Sequence, residues 1–114
     1  MLNNVVLVGR LVADPELKEV GKEGKVVNFT IAVARSYKNA DGEYDTDFIQ
    51  CNVWNAIAEN MNEYCHKGDL LGLKGMLQSS TFEDKEGNKK YKIDVRVDKL
   101  TFLSSKKEDV KDGE

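Results

Sequence analysis

The feature that most restricts the fold of this chain is a two-residue alternation of apolar side chains in two separate segments. Apolar residues occupy every second position from Val27 to Val33 and again from Tyr91 to Val97. A period of two places these side chains on one face of an extended strand, whereas a helix would need spacings of three and four. Small or polar residues fill the intervening positions. The chain is therefore expected to consist mainly of β-strands.

The remaining pattern predicts three more strands and one short helix. A β-branched run begins at Val5 and ends before Asp14-Pro15, where proline removes a strand hydrogen-bond donor. Apolar spacing of i, i+4 and i+8 predicts a helix over residues 55–66, with Asn55 as its N-cap and Gly68 as its stop signal. The predicted strands are Val5–Val12, a second containing Val27–Val33, Phe48–Trp54, Leu70–Phe82 and a fifth containing Tyr91–Val97.

Polar segments separate these elements. Gly21 to Gly24 is predicted to be a hairpin loop, because paired glycines supply positive φ angles. Residues 83–88 are predicted to form the loop of a second hairpin, and residues 38–47 an acidic, solvated loop. A change of parity at Leu100 and Phe102 predicts a bulge or bend in the last strand.

The order of the elements, three strands, one helix and two strands, predicts the fold class. It is the order of an all-β, five-stranded Greek-key barrel of the oligonucleotide- and oligosaccharide-binding type, the OB-fold, with one short helix between strands 3 and 4. Residues 1–103 are expected to form this single domain. Residues 104–114 have no apolar period and are expected to be a disordered tail.

Composition excludes several classes of protein. The 114 residues include 17 basic and 20 acidic side chains, and the resulting formal charge of −3 by itself disfavours a polyanion ligand. No run approaches the roughly 18 apolar residues of a membrane span, and the N-terminus does not resemble a secretory signal, so a cytoplasmic protein is expected. Two cysteines and one histidine are too few for a disulfide scaffold or a closed zinc site.

The residues give no indication of catalysis or metal binding. His66 stands alone beside the predicted helix end and is expected to be a capping or solvated residue. Cys51 and Cys65 fall at core positions, which favours small buried hydrophobes over nucleophiles or metal ligands. The acids from Asp41 to Asp47 lack the spacing of a calcium loop, and the chain has no phosphate loop.

The alternation places aromatic side chains at positions that face away from the predicted core. If Cys51 points inward, Phe48 and Trp54 share the opposite face of their strand with two amides. Tyr37 and Phe82 lie near the ends of other strands, beside basic residues. Flat rings with nearby cations suit a binder of single nucleic acid strands. Cover by a loop or a second subunit, or ordinary packing at strand ends, is the alternative.

Several ordered motifs resemble those of bacterial-type single-stranded DNA-binding proteins. The segments Asn3–Leu11 (NNVVLVGRL) and Asp14–Leu17 (DPEL) carry the resemblance first. It continues through Asp47–Trp54 (DFIQCNVW) and Gly75–Gln78 (GMLQ) to Phe102-Leu103. The resemblance thus covers residues 1 to about 103 and is more specific than the argument from element order.

This resemblance implies sequence-tolerant binding of single-stranded DNA during replication, recombination and repair. It implies a homotetramer with the first strand and its neighbouring sheet in subunit contacts, and neither enzyme activity nor a cofactor. The family's base-stacking aromatics match the rings isolated above. The predicted stacking residues are Tyr37, Phe48, Trp54 and Phe82, and the predicted phosphate contacts are Arg10, Arg35, Lys38, Lys74, Lys89 and Lys90.

The chain departs from the family pattern in two respects. Asn55, Met76 and Ser80 stand where many relatives carry basic residues, which predicts weaker phosphate contact. The acidic tip closed by Pro-Phe, through which family members recruit partner enzymes, is not present before Glu114, so recruitment of replication and repair proteins is not inferred. A natural short version, from a phage or mobile element, and a trimmed chain both fit this ending.

Two alternatives remain open at this point. An OB-type interaction module would use the aromatic face to bind a protein, and its affinity would respond little to salt. An RNA-binding accessory factor would stack bases equally well, because rings do not sense the sugar.

Overall fold

The structure, a computed structural model, describes residues 1–105 and contains six strands and one α-helix in that range. The predicted tail, residues 104–114, lies outside the described residues except for Ser104 and Ser105. In chain order the elements are β1 (Val5–Leu11), β2 (Leu17–Val20), a 3-10 turn (Gly21–Glu23), β3 (Gly24–Lys38), β4 (Tyr44–Trp54), α1 (Asn55–Tyr64), β5 (Leu70–Glu83) and β6 (Lys89–Ser104).

Five of the strands close into a barrel. Antiparallel ladders join β1 to β5, β5 to β6 and β3 to β4. Two short ladders complete the ring: β1 meets β3 at Arg10 and Leu11, and β4 runs parallel to β6 at Cys51 and Asn52. This closed barrel, with its helix between β4 and β5, confirms the predicted OB-fold. The additional strand, β2, forms a hairpin with β3.

The alternating apolar residues fill the barrel as predicted, except at one tip. Tyr91 and Ile93 continue the alternation of β6 but are exposed, because the β5–β6 hairpin extends beyond the barrel. The main buried apolar cluster is Leu11, Val27, Phe29, Ile31, Cys51, Val53, Ala58, Met61, Cys65, Leu71, Leu73, Val95 and Val97.

The predicted irregularity in the last strand is present. Lys74 pairs with Lys99, whereas the next residue, Gly75, pairs with Val97, which leaves Asp98 as an extra residue in β6. Such a bulge shifts the side chains that follow to the other face. Gly75 fits here because a Cβ atom at this position would overlap the carbonyl oxygen of Arg96.

The helix differs from the prediction at both ends. Trp54 occupies the N-cap position without a side-chain cap, so the assignment of Asn55 as N-cap was wrong. Asn55 has a φ of 53°, and its Oδ1 accepts a hydrogen bond from the backbone N–H of Lys25 at 3.1 Å. Because the Asn55 side chain bonds to β3, which is remote in sequence, it does not cap the helix. The helix ends at Tyr64, before Gly68.

No helix in residues 1–105 combines the length and apolar character needed to cross a membrane.

The connection between β3 and β4 is shorter than predicted. Only residues 39–43 separate the two strands, whereas the acidic composition predicts a loop over residues 38–47. Arg35 and Asp47 form an ion pair across the two strands, which lets the polar segment continue the hairpin. The loops between β2 and β3 and between β5 and β6 agree with the prediction, and Gly21 and Gly24 have positive φ.

Replacement of Gly75 tests the close approach of β5 and β6. Gly75→Ala is expected to lower the free energy of unfolding by about 1–3 kcal/mol, because the new methyl group must displace backbone. Gly72→Ala, on the same strand, is the control, since its Cβ would make an ordinary contact with Leu103 at 3.5 Å. Denaturant unfolding of both variants measures the difference, and equal stability would contradict the steric argument.

Candidate nucleic-acid interface

The outer sides of β3, β4, β6 and β5 form one continuous surface. Residues directly opposite each other in neighbouring strands share a face. Asn52 of β4 lies opposite Asn28 of β3 and Arg96 of β6. Arg96 in turn lies opposite Met76 of β5. We call this surface the aromatic face, defined by Phe48, Gln50, Asn52, Trp54, Phe82, Lys90, Lys92, Asp94 and Arg96.

Phe48 and Trp54 point away from the core, as the alternation predicts. Phe48 is 66% exposed and lies opposite the small side chain of Ala32. Trp54 is partly exposed, and its Nε1–H donates a hydrogen bond to Asn52 Oδ1 at 3.1 Å. The Arg96 guanidinium lies 5.3 Å from the centroid of the Trp54 ring, within the range of a cation–π contact. These two contacts fix the orientation of the indole in the protein without ligand.

The other two predicted rings lie at the ends of hairpins. Phe82 is exposed on the aromatic face, opposite Lys90 near the tip of the β5–β6 hairpin. Tyr37 is exposed near the end of β3, where the ladder to β4 becomes irregular. The structure therefore brings Phe48, Trp54 and Phe82 onto one surface and leaves Tyr37 at its margin.

Arg35, a predicted phosphate contact, is engaged by acids in this structure. Its Nη2 lies 2.9 Å from Asp47 Oδ1 and its Nε 3.1 Å from Asp47 Oδ2, and Nη1 is 3.8 Å from Asp45. The hydrogen bonds between Arg35 and Asp47, together with their opposite charges, raise the pKa of the Arg35 guanidinium. The same interactions lower the pKa of the Asp47 carboxyl. A phosphate must therefore compete with Asp47 for this side chain.

The predicted lysines on the two hairpins also have partners. Lys38 Nζ lies 5.8 Å from the ring centroid of Tyr44, and Lys89 Nζ 6.0 Å from that of Tyr91. Lys90 Nζ is 4.0 Å from Asp84 Oδ2, with more than half of its side chain exposed. Such surface contacts are weak and can rearrange when a ligand binds.

Arg10 and Lys74, the remaining predicted phosphate contacts, lie on β1 and β5. Arg10 is opposite Ala32 of β3, which in turn is opposite Phe48, so Arg10 lies on the same side of the sheet as this ring. Arg10 Nη1 donates a hydrogen bond to the carbonyl oxygen of Gly68 at 2.9 Å. Lys74 lies on the outer side of β5, opposite Val6 of β1. Arg10 thus borders the aromatic face at β3, whereas Lys74 lies beside β1.

Two residues of interest escaped the prediction. Arg96 is adjacent to Trp54 only because β4 and β6 pair in parallel, and no local pattern in the sequence indicates that pairing. Tyr44 is exposed on β4, with the parity of Phe48, but the acidic composition places it in a loop. Tyr37 and Tyr44 lie on either side of the turn between β3 and β4, and this pair of tyrosines is the signal that could have indicated a longer hairpin there.

Comparison with known proteins decides the family. Residues 2–103 match the model of the single-strand binding protein family. The chain belongs to this family. Single-stranded DNA-binding protein 1 of Lactococcus lactis subsp. lactis (strain IL1403) is 44% identical over 107 residues, which cover 94% of this chain and 71% of the relative. Single-stranded DNA-binding protein B of Bacillus subtilis (strain 168) is 42% identical over 106 residues, covering 93% and 94%. These findings confirm the resemblance predicted from the motifs.

The cysteines of this member of the single-strand binding protein family are buried, as predicted. Burial, with a smaller contribution from Asp94, raises the pKa of the Cys51 thiol to about 12. Burial, followed by the charge of Asp69, also raises the pKa of Cys65. Residues 1–105 contain no group of three histidine, cysteine, aspartate or glutamate side chains placed to hold a metal ion.

The raised thiol pKa values predict low reactivity. At pH 8 neither Cys51 nor Cys65 is expected to react with a disulfide reagent such as DTNB in the folded protein, because the thiolate is the reactive form and both thiols are buried. Both are expected to react after unfolding in denaturant, which serves as the control. Reaction of either thiol in the folded protein at the rate of a free thiol would contradict the burial.

Proposed function

We propose that the aromatic face binds single-stranded DNA with little sequence preference, and that bases stack on its exposed rings. Family membership supports single-stranded DNA as the ligand, and roles in DNA replication, recombination and repair fit the family. Stacking tolerates any sequence, because every base has a flat π surface. The proposed stacking residues are Tyr37, Phe48, Trp54 and Phe82.

One observation carries this proposal: the orientation of Trp54 on an open surface. Trp54 lies outside the core and is partly exposed, while its ring is held by Asn52 and Arg96. A ring already fixed in place loses little conformational freedom when a base stacks on it. Arg96 also places a positive charge beside the ring, where it can contact a neighbouring phosphate.

Charge has a secondary part in the proposed binding. Lys90 and Arg35 lie near acids in the unliganded protein, so a phosphate gains each contact by displacing a carboxylate. The net gain from each such exchange is small. Stacking is therefore proposed to provide most of the affinity. The proposed phosphate contacts remain Arg10, Arg35, Lys38, Lys74, Lys89 and Lys90, and we add Arg96.

The proposed role is binding and protection of exposed strands, without a chemical step. Relatives in this family are named for DNA binding rather than for an enzymatic activity. A cytoplasmic location forms part of the proposal, because bacterial DNA is replicated and repaired in that compartment.

We also propose that the chain forms a homotetramer, with β1 in the subunit contacts. Val6 and Val8 lie on the outer side of β1, and Val6 is 74% exposed. Their neighbours on that side include Gly72 of β5, which leaves room for a facing surface. An aliphatic strip on the outside of a barrel is favourable only when it is covered. A second copy of the chain presents the same strip, as a two-fold interface requires.

Disruption of this strip tests the assembly. Val8→Glu is expected to reduce the mass measured by light scattering to that of a smaller species, because each interface would bury a charge without a partner. Val20→Glu, which adds the same charge to β2, should leave the mass unchanged. A wild-type protein that already scatters as a monomer would overturn the tetramer proposal.

Removal of the central ring tests DNA binding itself. Trp54→Ala is expected to weaken binding of oligo-dT by about 1–3 kcal/mol, the usual contribution of one base stacked on an aromatic ring. Titration followed by fluorescence anisotropy of a labelled oligonucleotide measures the change. Tyr64→Ala, which removes an exposed ring at the end of α1, is the matched control and should bind normally.

Tryptophan fluorescence and salt provide further controls for the wild-type protein. Trp54 is the sole tryptophan, so oligo-dT should quench the intrinsic fluorescence strongly. The logarithm of the binding constant should fall with the logarithm of salt concentration, with a slope of about −0.7 per phosphate contacted. Unchanged fluorescence during binding would exclude Trp54 as a stacking residue. A flat salt response would show that phosphate contacts do not contribute to oligo-dT binding.

A further inference from the structure

A slot opens in the aromatic face where the ladder between β4 and β6 stops. That ladder pairs only Cys51 and Asn52 with residues of β6. At the next position Gln50 and Asp94 line a slot of about 150 Å³, which they share with Asn28, Thr30 and Lys92. A water molecule occupies roughly 30 Å³ in the liquid, so the slot has room for the edge of a larger planar group.

Asp94 has an unsatisfied oxygen in this slot. Its Oδ1 is buried and has no hydrogen-bond partner in the structure, and only 19% of its side chain is exposed. Its Oδ2 lies 3.6 Å from Lys92 Nζ, beyond normal hydrogen-bond length. An ionised carboxylate only accepts hydrogen bonds, and a buried acceptor without a donor is unfavourable. Because the slot opens on the ligand face, a bound ligand is well placed to supply the missing donor.

The chemistry around Asp94 restricts which part of a DNA strand can enter. A phosphate is excluded by charge repulsion from the carboxylate, whereas a base can offer an N–H group. Lys92 supplies an ammonium donor and Gln50 an amide donor beside the carboxylate. The slot therefore presents an acceptor with donors next to it.

We propose that the slot is a base-reading subsite in which Asp94 accepts a hydrogen bond from the ring N–H of a base, either the N3–H of thymine or the N1–H of guanine. Thymine carries this N–H between two carbonyl oxygens, which matches an acceptor flanked by donors. Cytosine and adenine present a lone pair at the corresponding position, which would face the carboxylate unfavourably. Guanine carries its N1–H between a carbonyl and an amino group, and the amino group can donate to the second carboxylate oxygen.

This subsite deepens the proposed DNA binding and depends on it. The stacking rings accept any base, whereas the slot selects thymine or guanine for one base of those bound by each barrel. The strand would then bind in a preferred register wherever one of these two bases is available. Overall binding would remain tolerant of sequence.

Methylation of N3 separates the hydrogen bond from stacking. Two oligonucleotides of roughly eight residues, one of thymidine and one of N3-methylthymidine, are titrated by fluorescence anisotropy. Wild-type protein should bind the unmethylated strand about tenfold more tightly, as expected for one hydrogen bond to a charged acceptor. In Asp94→Ala the two affinities should agree within about twofold.

A charge-matched control removes the effect of net charge. Asp98→Ala deletes a carboxylate from the same strand but outside the slot, so it should keep the wild-type ratio. Loss of one negative charge strengthens phosphate binding for both strands equally, and the ratio is insensitive to it. If Asp94→Ala does not fold, Asp94→Asn replaces it, and the ratio should fall by about threefold because a neutral acceptor binds more weakly.

The outcomes distinguish this inference from the proposed function. If the thymidine strand does not bind, the proposed function fails. If both strands bind wild-type protein equally, or if the Asp94 variants keep the ratio, DNA binding stands and the subsite is overturned. A preference for oligo-dC over oligo-dT that disappears in Asp94→Ala would also overturn it, because the slot would then read an amino group.

Discussion

Burial of every second side chain in β3, β4 and β6 is the constraint on which the rest of the structure depends. Cys51 of β4 and Val95 of β6 pair with both side chains inside the barrel. The next pair, Asn52 and Arg96, must therefore point outward. This single step places Arg96 over Trp54 and Asn52 within reach of the indole N–H. The geometry of the aromatic face is thus a by-product of core packing.

The distribution of charge explains how a chain with a formal charge of −3 can present a surface suited to DNA. Lys90 and Lys92 on the aromatic face, and Arg35 on the β3–β4 hairpin, each have a carboxylate within 4.0 Å. Long-range attraction to a phosphate chain is weakened by these acids, while the short-range contact of ring on base is unaffected. The net charge of the chain therefore disfavours DNA as a ligand, whereas the arrangement of the aromatic rings suits it.

The sequence predicted the features that depend only on residues close together in the chain. The parity of Phe48 and Trp54 follows from the alternation alone, and the bulge at Asp98 follows from the change of parity near Leu100. The conformation of Asn55 and the neighbours of Arg96 depend on contacts with strands that are distant in sequence, so no local pattern encodes them. The exposure of Tyr91 has the same origin, because only the folded barrel shows that the hairpin tip extends beyond the core.

The parallel ladder of β4 and β6 has a mechanical consequence. It is one of the two shortest joins in the ring, whereas β3 and β4 are joined over most of their length. Segments with few backbone hydrogen bonds open more readily than the rest of a fold. A ligand that contacts both strands stabilises their pairing at this position, because it binds only the closed form of the barrel. A DNA strand bound across β4 and β6, as proposed, would therefore stabilise a weak join of the barrel.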